Sequence, residues 1–280
     1  MVSKPPIGSA HIPRPDVALS TSSVYPERTA DCFAIAAEAG YDGVEVMVGI
    51  DAASADVPYL ARLSAQYTMP VVAIHAPCLL LTQNVWGPGP WDKVRHSCAA
   101  AIDLGADIVV LHPPLRWQRG YASGFVAGVR EISEQTGVTV AVENMYPWRT
   151  PGRHFQAYLP SWDPTELDYE ALTLDLSHAA TSKRDSLEMA RSWGARLRHV
   201  HLTDGSGSPL DEHLLPGEGA QHSWELVEYL AESGYQGHIV LEVNTRRAEN
   251  RAERLADLSR VLADTRLHLG RQVRGQLTDA

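Results

Sequence analysis

The sequence predicts a single α/β domain, a (β/α)8 TIM barrel. Three observations carry that expectation. The chain has 280 residues, close to the ~250 that one such barrel occupies. Eight short runs rich in Val, Ile and Leu recur along it, nearly unbroken, as suits strands covered on both faces. Longer amphipathic stretches separate them, and strands that alternate with helices favour a closed parallel sheet.

In order, the strand candidates are residues 16–20, 42–47, 71–75, 107–112, 138–143, 172–176, 197–202 and 238–243. The helix-like stretches are 27–39, 57–66, 91–104, 122–135, 186–193, 223–233 and 247–264. Gly40, Gly105, Gly137, Gly194 and Gly234 follow helices, where a left-handed C-cap is expected. The barrel is expected over residues 16–267, with a tail over 1–15 and a polar tail over 268–280. Between the fifth and sixth strands, residues 145–169 form a long aromatic, Pro-rich connection, helix-like only near 163–169. A loop of that length in a compact domain is usually functional, so a lid is expected there.

Hydrophobic residues make up 44% of the chain, enough for a core, and the formal net charge is −10. That charge argues against a broad nucleic-acid surface. Cys32, Cys78 and Cys98 form no CxxC pair; a sparse, odd set fits a reducing compartment rather than a disulfide framework. Cys32 and Cys98 fall in helix-like segments, as core residues would. No signal-peptide h-region and no apolar run near the ~18 residues of a membrane span is present. The expectation is a soluble, cytoplasmic protein without a membrane partner; whether it forms a homo-oligomer is left open.

The 12 histidines matter by placement. His75 closes the third strand, His112 the fourth and Glu143 the fifth. Asp175 and His178 close the sixth. His201 closes the seventh, with Asp211 and His213 following, and Glu242 closes the eighth. In a barrel these ends converge on one face. Buried carboxylates facing one another are costly, and bound cations remove that cost. Neutral imidazoles with carboxylates suit Zn²⁺ or Mn²⁺. Singly, a strand-end histidine is more often a hydrogen-bonded core residue; six consecutive strands ending this way resist that explanation. His199 lies two residues before His201, on the same side and one layer deeper, and reads as a supporting residue. His11, His96, His154, His222, His238 and His268 default to surface or packing roles.

These residues resemble the xylose-isomerase-like barrel superfamily, which includes sugar phosphate isomerases and epimerases and endonuclease IV. The resemblance runs from Tyr41-Asp42-Gly43-Val44-Glu45 to Leu241-Glu242-Val243. Its most specific pieces are Asp175-Leu176-Ser177-His178, His201-Leu202-Thr203-Asp204 and the run from Asp211-Glu212-His213 to Gly217-Glu218-Gly219. Resemblance to the epimerases implies one metal held by Glu143, Asp175, His201 and Glu242. Resemblance to endonuclease IV implies five further ligands, His75, His112, His178, Asp211 and His213, for up to three Zn²⁺. Two departures count against DNA cleavage: Met47-Val48-Gly49-Ile50 is apolar where the endonucleases carry polar DNA contacts, and Cys78-Leu79-Leu80 lacks their aromatic wedge.

Two mechanisms fit. In one, a metal holds two oxygens of a ketose or polyol while Glu143 and Glu242 exchange a proton alpha to the carbonyl. In the other, clustered zinc ions make a hydroxide and clamp a phosphate ester. The isomerase or epimerase, with Zn²⁺ or else Mn²⁺ or Mg²⁺, is the preferred expectation. The zinc-cluster phosphodiesterase is the alternative, and a non-enzymatic metal-binding barrel the second. Arg116, Trp117, Arg119, Trp148 and Arg149 are the candidate substrate-binding residues, since Arg suits phosphate and Trp offers a face to a sugar; they read equally well as a solvated positive rim. Gly217-Glu218-Gly219 before a helix reads as a tight turn in preference to an anion cradle. No G-x-S-x-G serine-hydrolase motif occurs.

Overall fold

The computed structural model describes residues 15–77, 82, 85–150 and 153–275. Its strands, in chain order, are β1 (Val17–Ser20), β2 (Gly43–Met47), β3 (Val71–His75), β4 (Ile108–Leu111), β5 (Thr139–Glu143), β6 (Trp148–Thr150), β7 (Arg153–Phe155), β8 (Leu172–Asp175), β9 (Leu197–Leu202) and β10 (His238–Leu241). All but β6 and β7 close into one parallel barrel, in the order β1-β10-β9-β8-β5-β4-β3-β2. The barrel strands fall inside the eight runs expected from the sequence.

The helices are α1 (Thr29–Ala39), α2 (Val57–Tyr67), α3 (Pro90–Leu104), α4 (Arg119–Ser123), α5 (Phe125–Thr136), α6 (Leu176–Ser182), α7 (Ser186–Trp193), α8 (Ser223–Glu232) and α9 (Arg251–Gly275). Gly40 and Gly105 end α1 and α3 at φ +87° and +76°, a region in which a Cβ is disfavoured. Three details depart from the sequence reading. The expected helix over 122–135 is two helices, because Gly124 interrupts the turn between α4 and α5. The short α6 follows β8 directly, and α9 continues past residue 264. None of the described helices is long and apolar enough to cross a membrane.

Side chains alternate along each strand. Outward positions such as Leu19, Val44, Ile74, Val109, Leu174, Val200 and Leu241 are buried under the helices with Phe33, Phe125 and Trp193. Inward positions form a smaller buried cluster that includes Ala18, Ala73, Ile108, Val110, Ala141 and Val240. Two strand pairs slip register, at Val44/Glu45 against β3 and at Leu172/Thr173 against β9. Such irregularities re-aim a side chain at barrel rims.

The β5–β8 connection is not helical over 163–169. It carries the antiparallel pair β6–β7 instead. Met145, Ala157 and Tyr158 bury against Leu115, with Trp148 and Trp162 packed alongside. Its far end is pinned to the barrel: Trp193 Nε1 donates to Thr165 Oγ1 at 2.9 Å, and the Arg196 guanidinium donates to the carbonyls of Leu167 at 3.0 Å and Thr165 at 2.9 Å. Trp193 is among the largest fully buried side chains. Trp193→Ala is therefore expected to cost ~3–5 kcal/mol, the range for large buried aromatics, in denaturant unfolding. A loss below about 1 kcal/mol would remove Trp193 as an anchor.

Candidate metal centre

His75, Glu143 and Asp175 are the last residues of β3, β5 and β8, and His201 is the penultimate residue of β9. His112 and Glu242 directly follow β4 and β10. All six stand at the C-terminal mouth. Asp175 also starts α6: its Oδ1 accepts the backbone N–H of His178 at 2.7 Å, an N-cap. That cap fixes His178 in the first turn, facing the same mouth. Asn144 braces the strand ends, its side chain bonding both backbone groups of Asp175 at 3.0 and 2.8 Å.

Glu143 is the hub. Its Oε2 lies 2.9 Å from His112 Nε2 and 3.3 Å from His75 Nε2; its Oε1 lies 3.2 Å from His178 Nδ1 and 3.2 Å from His201 Nδ1. His201 Nδ1 also faces Glu242 Oε2 at 2.9 Å and Asp175 Oδ2 at 3.6 Å. Asp211 spans His178 Nε2 at 3.2 Å and His213 Nε2 at 3.1 Å. The structure thus brings all nine expected side chains together. Three overlapping groups have ligand atoms within 4.8 Å of one another: His75, His112 and Glu143; Glu143, Asp175, His201 and Glu242; and Asp175, His178 and His213.

Asp211 and His213 reach the centre because the chain after β9 folds back on itself. Asp204 and Leu214 exchange both backbone hydrogen bonds at 2.9 Å. Ser177 Oγ accepts the N–H groups of Glu212 and His213 at 3.1 and 3.0 Å and donates to Asp211 Oδ1 at 2.7 Å. The Asp204 carboxylate accepts the N–H groups of Gly205, Gly217 and Gln221 and the Ser223 hydroxyl. At Gly219 a Cβ would sit 2.3 Å from Asp204 Oδ1. The Gly217-Glu218-Gly219 run is therefore a turn wrapped on a carboxylate.

The electrostatics follow from burial. Burial pushes the Glu143 carboxyl up, yet His112 and His201 hold it well below the usual range. Burial pushes His178, His201 and His213 down, yet the facing carboxylates overcome it: His178 and His201 rise well above their ordinary value and His213 is pushed up to about 10. For His112 burial wins and its value falls. Two buried oxygens, Glu143 Oε2 and Asp175 Oδ2, have no hydrogen-bond donor; the imidazole nitrogens near Glu143 Oε2 are close but not aligned to donate. Undonated carboxylate oxygens beside imidazole nitrogens are the donor set a divalent cation accepts, so the residues fit a metal.

One residue of the centre escaped the sequence reading. Glu45, fully buried in β2, accepts from His199 Nε2 at 2.9 Å and lies 3.2 Å from His201 Nε2 through both oxygens. His199 thus supports the centre from one layer below, as its spacing suggested. The available signal for Glu45 was an inward-phased acid inside an otherwise apolar strand.

A cavity of about 730 Å³ opens above the centre. Its wall beyond the ligands comes mainly from the end of β2 and the loops after β1 and β2, including Ser22, Tyr25, Met47, Val48 and Ile50, with Arg246 from the segment after β10. Arg116, Trp117, Arg119 and Trp148 are not among its lining residues. Arg116 sits over the Phe155 ring at 5.5 Å, Trp117 lies 6.1 Å from Trp148, and Arg119 is exposed at the start of α4. The Arg149 side chain and residues 78–80 lie outside the described residues. The β5–β8 connection reaches the centre at Tyr146, 5.0 Å from the His178 ring. His96 and His222 are exposed; His238 pairs with Asp107 at 2.9 Å, and His268 stacks on Trp224 at 4.8 Å.

A sequence-family model described as a xylose isomerase-like TIM barrel matches residues 33–265. An uncharacterized protein of Mycobacterium tuberculosis is 46% identical over 272 residues, covering 90% of this chain and 97% of its own. Fructoselysine 3-epimerase of Escherichia coli O157:H7 is 22% identical over 241 residues, covering 76% and 84%. Among solved structures, a D-tagatose 3-epimerase-like protein aligns with TM-score 0.67 at 22% identity, covering 92% of this chain and 99% of its own. An AP endonuclease, family 2, from Brucella melitensis aligns with TM-score 0.64 at 22% identity, covering 85% and 95%.

Two expectations follow. Asp175→Ala or Glu143→Ala removes an anionic ligand and is expected to strip bound metal, read by elemental analysis of the purified variant; full metal content in either would sink the assignment. The facing carboxylates favour the protonated form of His178, His201 and His213 in the metal-free protein. A cation takes only the neutral ring. Metal uptake therefore releases protons, and affinity climbs as pH rises. Calorimetry in two buffers of different ionisation enthalpy measures this, and identical apparent heats would contradict it.

Proposed function

The chain belongs to the xylose isomerase-like TIM barrel family, and from that premise we propose that it is a metal-dependent isomerase or epimerase of a sugar, sugar phosphate or polyol. The observation that carries the reading is the placement of two carboxylates. Glu143 and Glu242 both face His201 Nδ1, at 3.2 and 2.9 Å, and both line the cavity. Isomerisation or epimerisation alpha to a carbonyl needs one group to remove a proton and another to return it.

A bound divalent cation would supply Lewis acidity to the substrate oxygens beside the reacting carbon. His201, Asp175, Glu143 and Glu242 would hold it. Ser22 Oγ donates to Glu242 Oε1 at 3.3 Å, which steadies that carboxylate on the side open to the cavity. Glu143 is the more sealed of the pair, at 1% side-chain exposure against 10% for Glu242. The epimerase names of a distant relative and a structural neighbour support the same reaction class.

A second reading, a zinc-cluster phosphodiesterase, is favoured by one observation: eight of the nine ligand-type side chains fall into three overlapping groups and the ninth, Asp211, bridges His178 and His213, more than a single cation needs. For the same reason more than one cation per chain is proposed, Zn²⁺ foremost and Mn²⁺ or Mg²⁺ otherwise. Against DNA as substrate stand the net charge of −10 and the apolar wall at Met47, Val48 and Ile50. A DNA-cleaving site needs a basic groove and a wedge for an extruded nucleotide.

The test is incubation of the metal-loaded enzyme with candidate ketoses and ketose phosphates in D₂O. Deuterium incorporation at the carbon alpha to the carbonyl is expected, and its loss in Glu143→Gln and in Glu242→Gln, each by at least ~100-fold, the lower end for a general acid or base. Absence of exchange across the panel, with clean incision of an abasic duplex at physiological salt that disappears in Glu242→Gln, would replace the isomerase by the phosphodiesterase.

A further inference from the structure

We propose that Glu45 is a positioning residue of the metal centre: its carboxylate, lodged behind His201, holds the Nε2–H of that ring so that the Nδ1 lone pair faces the ligand cluster. The inference rests on the metal reading above and adds a residue outside the nine.

A neutral imidazole carries one proton, and the hydrogen bond at one nitrogen decides which nitrogen is free to ligate. His201 presents Nδ1 to Glu143, Asp175 and Glu242, and Nε2 to Glu45. Both Glu45 oxygens lie 3.2 Å from Nε2, and a carboxylate can only accept. The proton therefore belongs on Nε2. Carboxylates behind metal-bound histidines act this way, fixing the ring and raising its basicity.

The surroundings make Glu45 hard to explain otherwise. Barrel interiors are filled mainly by Val, Ile and Leu, whereas Glu45 is a fully buried carboxylate. Among the described residues no Lys or Arg pairs with it; its ion-pair partners there are His199 at 2.9 Å and His201 at 3.2 Å. Its register neighbours are the small Ser20 and Ala73, and β2 slips register against β3 at this residue, a local distortion that re-aims a side chain. His199 then completes a buried line, His199–Glu45–His201, ending at the cluster. An unpaired interior anion is costly; a cation across the His201 ring offsets it.

The experiment uses the full chain, stripped of metal, titrated with Zn²⁺ and with Mn²⁺ against a chromophoric chelator. Wild type, Glu45→Gln, Glu45→Asp and, as a ligand control, Asp175→Ala are compared, with thermal unfolding of each metal-free form alongside. Glu45→Gln is expected to weaken metal binding by ~10–100-fold, the effect of losing such a partner. Glu45→Asp is expected to recover part of that loss, and the visible spectrum of the Co²⁺-loaded protein to change between wild type and Glu45→Gln. If Glu45→Gln proves unfolded, the Glu45→Asp titration and its Co²⁺ spectrum decide. Wild-type affinity and spectrum in a folded Glu45 variant, with only metal-free stability lowered, would reduce Glu45 to a packing role and overturn the proposal. A wild type that binds no divalent cation would instead bring down the metal reading of the site.

Discussion

The structure turns on one electrostatic constraint: the barrel mouth buries a cluster of carboxylates whose charged partners are imidazoles alone. Glu45, Glu143, Asp175 and Glu242 are all buried, and among the described residues the ion-pair partners that face them are histidines. Histidine can meet an anion in two ways, by carrying a proton or by passing a metal's charge through a neutral ring. The centre is built for that exchange. Glu143 and Asp175, which face these rings, each keep a buried oxygen without a donor, open to a cation.

The rest of the fold serves this arrangement. Period-two alternation sends apolar residues out to the helices and leaves the inward phase of the strands free for acids and imidazoles. The cap on α6 and the Ser177 hydroxyl convert two flexible positions into fixed ones, since both act through backbone N–H groups. Asp204 is the counterpart on the other side. It spends its charge on backbone donors and a hydroxyl, so it holds the loop without competing for the centre.

The barrel and the nine converging side chains were legible because both depend on short-range pattern. An apolar run ending in His or Glu is a local statement, and closure of the barrel makes such statements coincide in space. Glu45 was not legible for the opposite reason: its role depends on a register slip and on a ring from across the barrel, and neither leaves a mark in Gly43-Val44-Glu45. The α4–α5 break, the β6–β7 pair and the side on which the cavity opens are likewise decided by packing among loops. Arg116 and Trp117 read as a substrate edge because Arg and Trp cluster there; in the structure they pair with Phe155 and Trp148 and are not among the residues that line the cavity. Only the positions of the loops after β1 and β2 relative to the centre show which rim borders the cavity.

The unequal exposure of Glu143 and Glu242 carries a consequence for isotopes. In the reaction proposed above, a proton taken up by Glu143, walled in by His75, His112, His178 and His201, would have no path to bulk water except through whatever lies above it. It would be kept through the turnover and handed back. Glu242, beside Ser22 on the cavity side, would trade its proton with solvent between visits. One face of a bound intermediate would then remember the hydrogen it lost, and the other forget.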